Sequence, residues 1–390
     1  MNGRFANGHS LRRNIVFVST NCGSSWGGSE ELWAQTAVDL VGQGLSIAAS
    51  VRKSFPTHGR VLALLNAGIE VQQRQDHHRI WTRAVRKLTS PGKTPLAVEI
   101  EQLVGRNPPS LVVLSDGTFL PPVELVELCE SHKLPFVTIG QANFEGWWPD
   151  DRLGQRYRKS LPSALRCFFV SQANQRLAEK QLGHKFDNAE IVRNPFNVAY
   201  DIRLPWPEQG EDCELRLANV ARLDPRSKGQ DILLEALARP QWSARNWRLS
   251  VFGEGPAQES LERMAKSLGL SDRVVFAGFA EVKNIWASHH ALVMPSRYEG
   301  MPLAIVEAML CARPIIATNV AGHAEIIEDG VTGFLADAAN ASSFSDTLER
   351  AWARRGDLQK MGEAATHAIR MLVPPDPPAV FSNILKDLAA

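Results

Sequence analysis

Short apolar runs alternate along almost the whole chain with longer stretches whose apolar positions recur every three or four residues. The runs read as buried parallel strands, and the longer stretches as amphipathic helices packed across them. In the first half the pattern predicts strands at 14–19, 45–51, 69–72, 111–115, 136–139, 167–171 and 190–193, with helices at 30–41, 59–66, 120–131 and 172–182. In the second half it predicts strands at 215–220, 248–252, 274–277, 291–294 and 314–317, and helices at 230–238, 257–268, 302–310, 323–328 and 342–354. Such alternation is the mark of α/β proteins built on parallel sheets.

At 390 residues the chain exceeds the length, roughly 250–300, at which a single core stops growing, so two domains are expected. The seam falls near 194–210, rich in proline and polar residues. A second break at 373–378, with four prolines, precedes a short final helix. The expected division is a flexible lead-in at 1–12, a first Rossmann-like domain at 13–197, a second at 198–372 and a terminal segment at 373–390.

Composition narrows the class. With 44% apolar and 22% charged residues the chain has the make-up of an ordinary globular protein. No apolar run is long enough to span a bilayer, and the first residues lack the apolar core of a secretory signal. Five cysteines (Cys22, Cys129, Cys167, Cys213, Cys311) show no C-x-x-C spacing and read as buried free thiols of a reducing cytoplasm. The net charge of +1 hides an asymmetry: residues 1–200 carry 23 Lys/Arg against 17 Asp/Glu, and the remainder 20 against 25. The basic half is too weakly basic for duplex nucleic acid but could meet an anionic acceptor or lipid surface. One stretch, 74–88, sets Trp81, Val85 and Leu88 beside Arg79, Arg83, Arg86 and Lys87 at helical spacing, as an interfacial helix or a core-facing one would.

The densest candidate chemistry lies at 296–309, where Glu299 and Glu307 stand eight residues apart across a loop that turns into a helix. Pro302 suits the first helical position, and the N–H groups of Gly300, Met301 and Leu303 would point from the helix N-terminus towards an anion. Two carboxylates flanking an anion site suit a ligand with hydroxyls at both ends and phosphate between, which is the layout of a nucleotide-sugar. In the first half, Gly27 and Gly28 open a helix after the first strand, with Ser29 placed to cap it, and could cradle phosphate or acceptor. The absence of G-x-G-x-x-G there argues against a nicotinamide dehydrogenase. Asp116 and the loop holding Gln141 and Asn143 follow other strands at the edge where open α/β sheets bind ligands.

The run from Glu299 to Glu307 resembles the E-x7-E signature of retaining glycosyltransferase family 4. The resemblance extends through 221–229, 251–256, 313–318, 321–327 and 329–335, covering most of 214–337 in family order. It implies a GT-B fold, two facing Rossmann-like domains with a donor cleft between them. It further implies transfer of a hexosyl unit from a nucleoside-diphosphate sugar to an acceptor hydroxyl with retention, in polysaccharide or glycolipid assembly. Arg222, Lys228 and Glu299 map onto the reacting centre, the two cations facing the departing diphosphate. Gly253, Glu254, Gly278, Phe279 and Glu307 map onto the nucleotide site. No metal or other cofactor is implied. The acceptor would be a saccharide or lipid-linked sugar, met in the cytoplasm or at the inner face of its membrane, with no nucleic acid as partner. Many relatives carry a His where this chain has Gln141, which can bond a sugar hydroxyl but cannot shuttle a proton. A nucleotide-sugar 2-epimerase and a non-catalytic sugar-nucleotide-binding subunit remain alternatives.

Overall fold

The computed structural model describes residues 14–21, 26–54, 57–74, 95–106, 108–208 and 214–390. The lead-in at 1–12, the basic stripe beyond Arg74, Cys22 and Cys213 lie outside them.

The described strands form two wholly parallel sheets. The first holds β1 (Asn14–Ser19), β2 (Ser46–Arg52), β3 (Glu70–Arg74), β4 (Leu111–Asp116), β5 (Phe136–Gly140), β6 (Arg166–Phe169) and β7 (Ala189–Ile191), in the order 3-2-1-4-5-6-7. The second holds β8 (Leu215–Val220), β9 (Trp247–Phe252), β10 (Val274–Gly278), β11 (Ala291–Met294), β12 (Ile315–Thr318) and β13 (Gly333–Ala336), in the order 10-9-8-11-12-13. Each sheet therefore grows outwards in both directions from its first strand and reverses between that strand and the neighbour reached by the return crossover. Ligands of open α/β sheets collect at such reversals, beyond the carboxyl ends of the strands. The two reversals here lie at β1/β4 and β8/β11.

Both faces of the sheets are covered at their centres, which is why central strands such as β1 and β4 read as unbroken apolar runs. Along β1, Val16 and Val18 pack on one face with Leu114, Phe136 and Tyr157, while Ile15 and Phe17 pack on the other with Trp33, Val113 and Phe168. In the second sheet, Trp242, Trp247 and Phe344 fill one face, and Trp286, Ile305 and Met309 the other. Cys129, Cys167 and Cys311 are free and buried, and burial pushes their thiols up to about 12, about 11 and about 12, so they stay protonated.

The final helix, Pro377–Leu388, follows the second sheet in sequence but completes the core of the first. Asp376 caps it by accepting the Ala379 amide at 3.0 Å. Phe381 meets Phe168 edge-on with ring centres 5.0 Å apart, and the Thr36 hydroxyl donates to the Pro378 carbonyl at 3.4 Å.

Several elements were hidden from the periodicity. The helices Pro95–Arg106, Asp151–Ser160, Val282–Ser288 and Leu358–Leu372 and the strand β13 stand where no element was expected. The expected helix at 323–328 is one turn, His323–Ile326, and that at 120–131 starts at Val123. No helix among the described residues is long and apolar enough to cross a membrane.

Candidate functional site

At the β8/β11 reversal the loops after both strands bring together residues far apart in sequence. After β8 the chain makes one helical turn, Pro225–Lys228, closed by Gly229, and the loop after β11 carries Ser296 to Met301. Lys228 Nζ lies 2.7 Å and 2.8 Å from the two oxygens of Glu299, which is only 6% exposed. The Ser296 hydroxyl donates to Glu299 Oε1 at 2.8 Å, and the Thr318 hydroxyl donates in turn to the Ser296 carbonyl at 2.5 Å. Glu299 is thus fixed from two sides, by an ammonium and by a hydroxyl. Arg222 is exposed on the neighbouring loop, its carbonyl accepting from Gln230 Nε2 at 2.8 Å. Arg226, between the two cations, is solvated and turned to Asp224.

Pro302 is the N-cap of the Leu303–Leu310 helix, with ψ 127°, and so stands one position before the first helical site assigned to it by sequence. Its fixed φ of −65° suits either position. Glu307 is buried inside this helix, where desolvation raises its carboxyl while two hydrogen bonds from Asn197 pull it back down. Both the backbone amide and the side-chain amide of Asn197 donate to Glu307 Oε1 at 2.9 Å. Sequence reasoning missed Asn197, which sits in the linker between the sheets without any motif around it.

Gly253 follows β9 with φ +124°, and a Cβ there would lie 2.1 Å from the Ala221 carbonyl, so glycine is demanded by the chain itself. Glu254 and Phe279 are exposed on successive loops of the same edge, Phe279 by 85%. The Gly278 carbonyl accepts the Gly253 amide at 2.8 Å, which holds the two loops together.

The first domain meets this edge directly. A Cβ on Gly300 would lie 1.7 Å from the Gln141 carbonyl, so the two backbones touch there. The Asn143 amide donates to the Glu299 carbonyl at 3.4 Å, and Asn174 Nδ2 reaches the same carbonyl at 3.3 Å. Gly28 faces Leu303, whose Cδ1 would stand 3.2 Å from a Cβ there, so the helices of the two halves begin opposite one another. Glu325 also crosses, its Oε1 accepting the Ala173 amide at 2.6 Å at the start of the Gln172–Leu182 helix.

Other expected residues are committed within the first domain. The cap of the Gly28–Gly42 helix is Gly27 rather than Ser29, which lies inside the helix and accepts from Asn21 at 3.3 Å. Asp116 binds the Thr20 hydroxyl through one oxygen and the Thr118 amide, at 2.7 Å, through the other. It ties the loops at the β1/β4 reversal. The Asn143 side chain donates to Gln181 at 2.8 Å and accepts the Phe144 amide at 2.8 Å, which leaves only its backbone for the seam. Gln141 accepts from Asn194 at 2.8 Å, and its Nε2 donor is buried without a partner among the described residues. Trp147 packs on Phe144 and Tyr298 with centres 6.0 Å and 5.0 Å apart, whereas Trp148 is exposed. No group of three or more His, Cys, Asp or Glu that could hold a metal ion is gathered among the described residues.

Residues 214–354, the stretch that carries Lys228, Glu299 and Glu307, match the family model described as glycosyl transferases group 1. This part of the chain is similar to glycosyltransferase domains. The chain is 33% identical over 126 residues to alpha-D-kanosaminyltransferase of Streptomyces kanamyceticus, covering 32% of this chain and 33% of that protein. It is 32% identical over 159 residues to a GDP-mannose-dependent phosphatidylinositol monomannoside mannosyltransferase of Mycolicibacterium smegmatis, covering 38% and 41%. Across such curated relatives the matched part spans about a third to about half of their length.

Solved structures extend the likeness of fold to nearly the whole chain. The crystal structure of Anabaena HepE in complex with UDP superposes with a TM-score of 0.72 at 19% identity, over 96% of this chain and 99% of that one. Sucrose-phosphate synthase of Thermosynechococcus elongatus gives 0.72 at 17% identity, over 96% and 98%. The fold is GT-B: the Rossmann-like unit that carries the family match faces a second such unit across the seam just described.

Proposed function

We propose that this protein moves a hexosyl unit from a nucleoside-diphosphate sugar to an acceptor hydroxyl with retention at the anomeric carbon, as a family 4 enzyme of polysaccharide or glycolipid assembly. The observation that carries this reading is the Lys228–Glu299 ion pair, set at a sheet reversal beside a helix start, with Glu307 buried behind it. Glu307 keeps Oε2 for a ribose hydroxyl while Asn197 occupies Oε1. The Leu303–Leu310 helix start suits phosphate, and Lys228 with Arg222 would meet the negative charge that grows on the departing diphosphate. Glu299 then serves the transferred sugar. The donor would need no metal here, since fixed cations supply the charge, and the acceptor would enter between the β1/β4 reversal and the Gln141 loop.

The reading draws support from relatives whose names specify sugar transfer, and from a fold neighbour that binds UDP. Glu299 is tied to Lys228 and Glu307 to Asn197 rather than standing as the acid and nucleophile of a glycosidase, so protein work reduces to positioning and charge stabilisation. Thermal-shift screening against nucleotide-sugars, followed by incubation of the stabilising donor with a crude lipid-linked acceptor, tests the proposal. Release of nucleoside diphosphate with a glycosylated product is expected. A new nucleotide-sugar without released nucleotide would mark an epimerase, and binding without turnover a non-catalytic subunit.

A further inference from the structure

His323 is a buried titratable group that none of the roles above employs. Its ring is wholly enclosed, and Nδ1 lies 2.7 Å from the Thr318 carbonyl. A carbonyl can only accept, so Nδ1 carries the proton and Nε2 is a bare acceptor. Nε2 is buried and has no partner among the described residues. Burial lowers the basicity of the ring and keeps it neutral.

The ring is tied to the reacting centre. Thr318, which receives Nδ1–H, donates its hydroxyl to the Ser296 carbonyl, and Ser296 donates its own to Glu299. Gly322 leans on the same loop, its amide donating to the Gly300 carbonyl at 3.3 Å. The charges that act on the imidazole are Glu299, which raises its basicity, and Lys228, which lowers it. His323 is therefore an acceptor linked through Thr318 and Ser296 to an ion pair whose ammonium is already drawn to the two carboxylate oxygens.

A buried acceptor calls for a hydrogen-bond donor. Ionised phosphate oxygens are acceptors and offer Nε2 nothing, so the group that meets it must bring an O–H or N–H. Taking the nucleotide-sugar reading above as its basis, we infer that His323 is a specificity residue whose Nε2 accepts a hydroxyl of the transferred sugar, next to the hydroxyl taken by Glu299. The two acceptors together select a hexose that carries hydrogen-bond donors on the face turned to this loop, and disfavour a donor deoxygenated there.

The test compares wild type with His323→Leu, which fills space without an acceptor, and His323→Gln, whose carbonyl can still accept. Affinities for UDP and GDP are measured by calorimetry, and kcat and KM with UDP-glucose, UDP-galactose, GDP-mannose and their singly deoxygenated forms. The Leu variant should bind the nucleoside diphosphates within twofold of wild type, yet lose about tenfold or more in kcat/KM for the preferred sugar donor. The Gln variant should recover most of that loss. Wild type should discriminate about tenfold or more against one deoxy donor, a measurement that needs no variant to fold, and the Leu variant should not. Equal losses for free nucleotide and sugar donor, or no deoxy discrimination by wild type, would overturn the inference while leaving the donor site standing. Failure of wild type to bind any nucleoside diphosphate would overturn the donor-site reading, and this inference with it.

Discussion

Lys228 and Glu299, 71 residues apart in sequence, form an ion pair in which one ammonium lies within 2.8 Å of both carboxylate oxygens. The side chains are 25% and 7% exposed, so the carboxylate is the more deeply committed partner. Removing Lys228 would leave that carboxylate enclosed with the Ser296 hydroxyl as its remaining side-chain donor among the described residues, and costs on the order of 1–3 kcal/mol after allowance for the partly open ammonium. Each Ala variant should lower turnover about a hundredfold or more. The double variant should lose much less than the product of the two, because the groups act as a unit. Denaturant titration and steady-state rates on all four proteins give the coupling directly, and strict additivity in both would separate the roles of the two residues.

Glu307 is held by a residue outside its own domain's strands, Asn197 of the linker. Glu307→Ala should weaken nucleoside diphosphate binding about tenfold or more, as loss of a charged acceptor to a ribose hydroxyl costs roughly 1.5–3 kcal/mol. Asn197→Ala should weaken it less, through misorientation alone, since the backbone amide still donates. Calorimetric titration ranks the two, and unchanged affinity in Glu307→Ala would remove the ribose assignment.

Gly300 sets how closely the domains approach. A methyl group there would meet the Gln141 carbonyl at 1.7 Å and Val170 Cγ2 at 2.9 Å, and a backbone carbonyl cannot swing aside. Gly300→Ala should therefore force the seam open rather than unfold either core, at about 1–3 kcal/mol for an overpacked contact. Small-angle scattering should show a larger radius of gyration, with transfer lost and nucleoside diphosphate affinity largely kept. An unchanged radius would show that the seam yields elsewhere.

The pattern of apolar runs disclosed twelve of the described strands, most plainly the central ones buried on both faces, while the partly exposed edge strands β3, β7 and β10 were marked more by their place in the alternation. It missed β13, whose four residues start with glycine, and the Asp151–Ser160 helix, which is largely charged and anchors through Gly154, Tyr157 and Ser160. In the site, the residues of the Glu299–Glu307 motif were legible because loop, helix start and spacing coincide in one stretch. Partners were not. That Lys228 pairs with Glu299, that Asn197 steadies Glu307 and that Thr318 links His323 to Ser296 follow from the crossing of loops at a sheet reversal, which no local window contains. Asp116 and Asn143 show the converse: polar residues at the expected edges whose side chains are taken up in fixing loops.

Acid sensitivity should arise away from the site, at His290. Burial pushes its imidazole down to about 4, with Arg216, Arg313 and His289 as further positive or ionisable neighbours acting in the same direction. Its Nδ1 accepts the Arg216 amide at 3.0 Å, a bond that needs the unprotonated nitrogen. Below the ordinary value of roughly 6.5 the unfolded chain takes up a proton that the folded chain refuses, so stability falls as pH drops from about 6.5 to about 4 and this contribution levels off beneath that. His289, also lowered by burial, adds to the slope. Glu30 and Glu307, raised by burial, oppose it, because the folded state binds their protons more readily. His290→Asn removes the titration while its amide oxygen can still accept from Arg216. Urea unfolding between pH 7 and 4.5 should show the variant losing less stability than wild type, with the two profiles converging or crossing as the pH falls. Parallel profiles would mean that His290 is protonated in the folded protein and that its enclosure costs nothing on acidification.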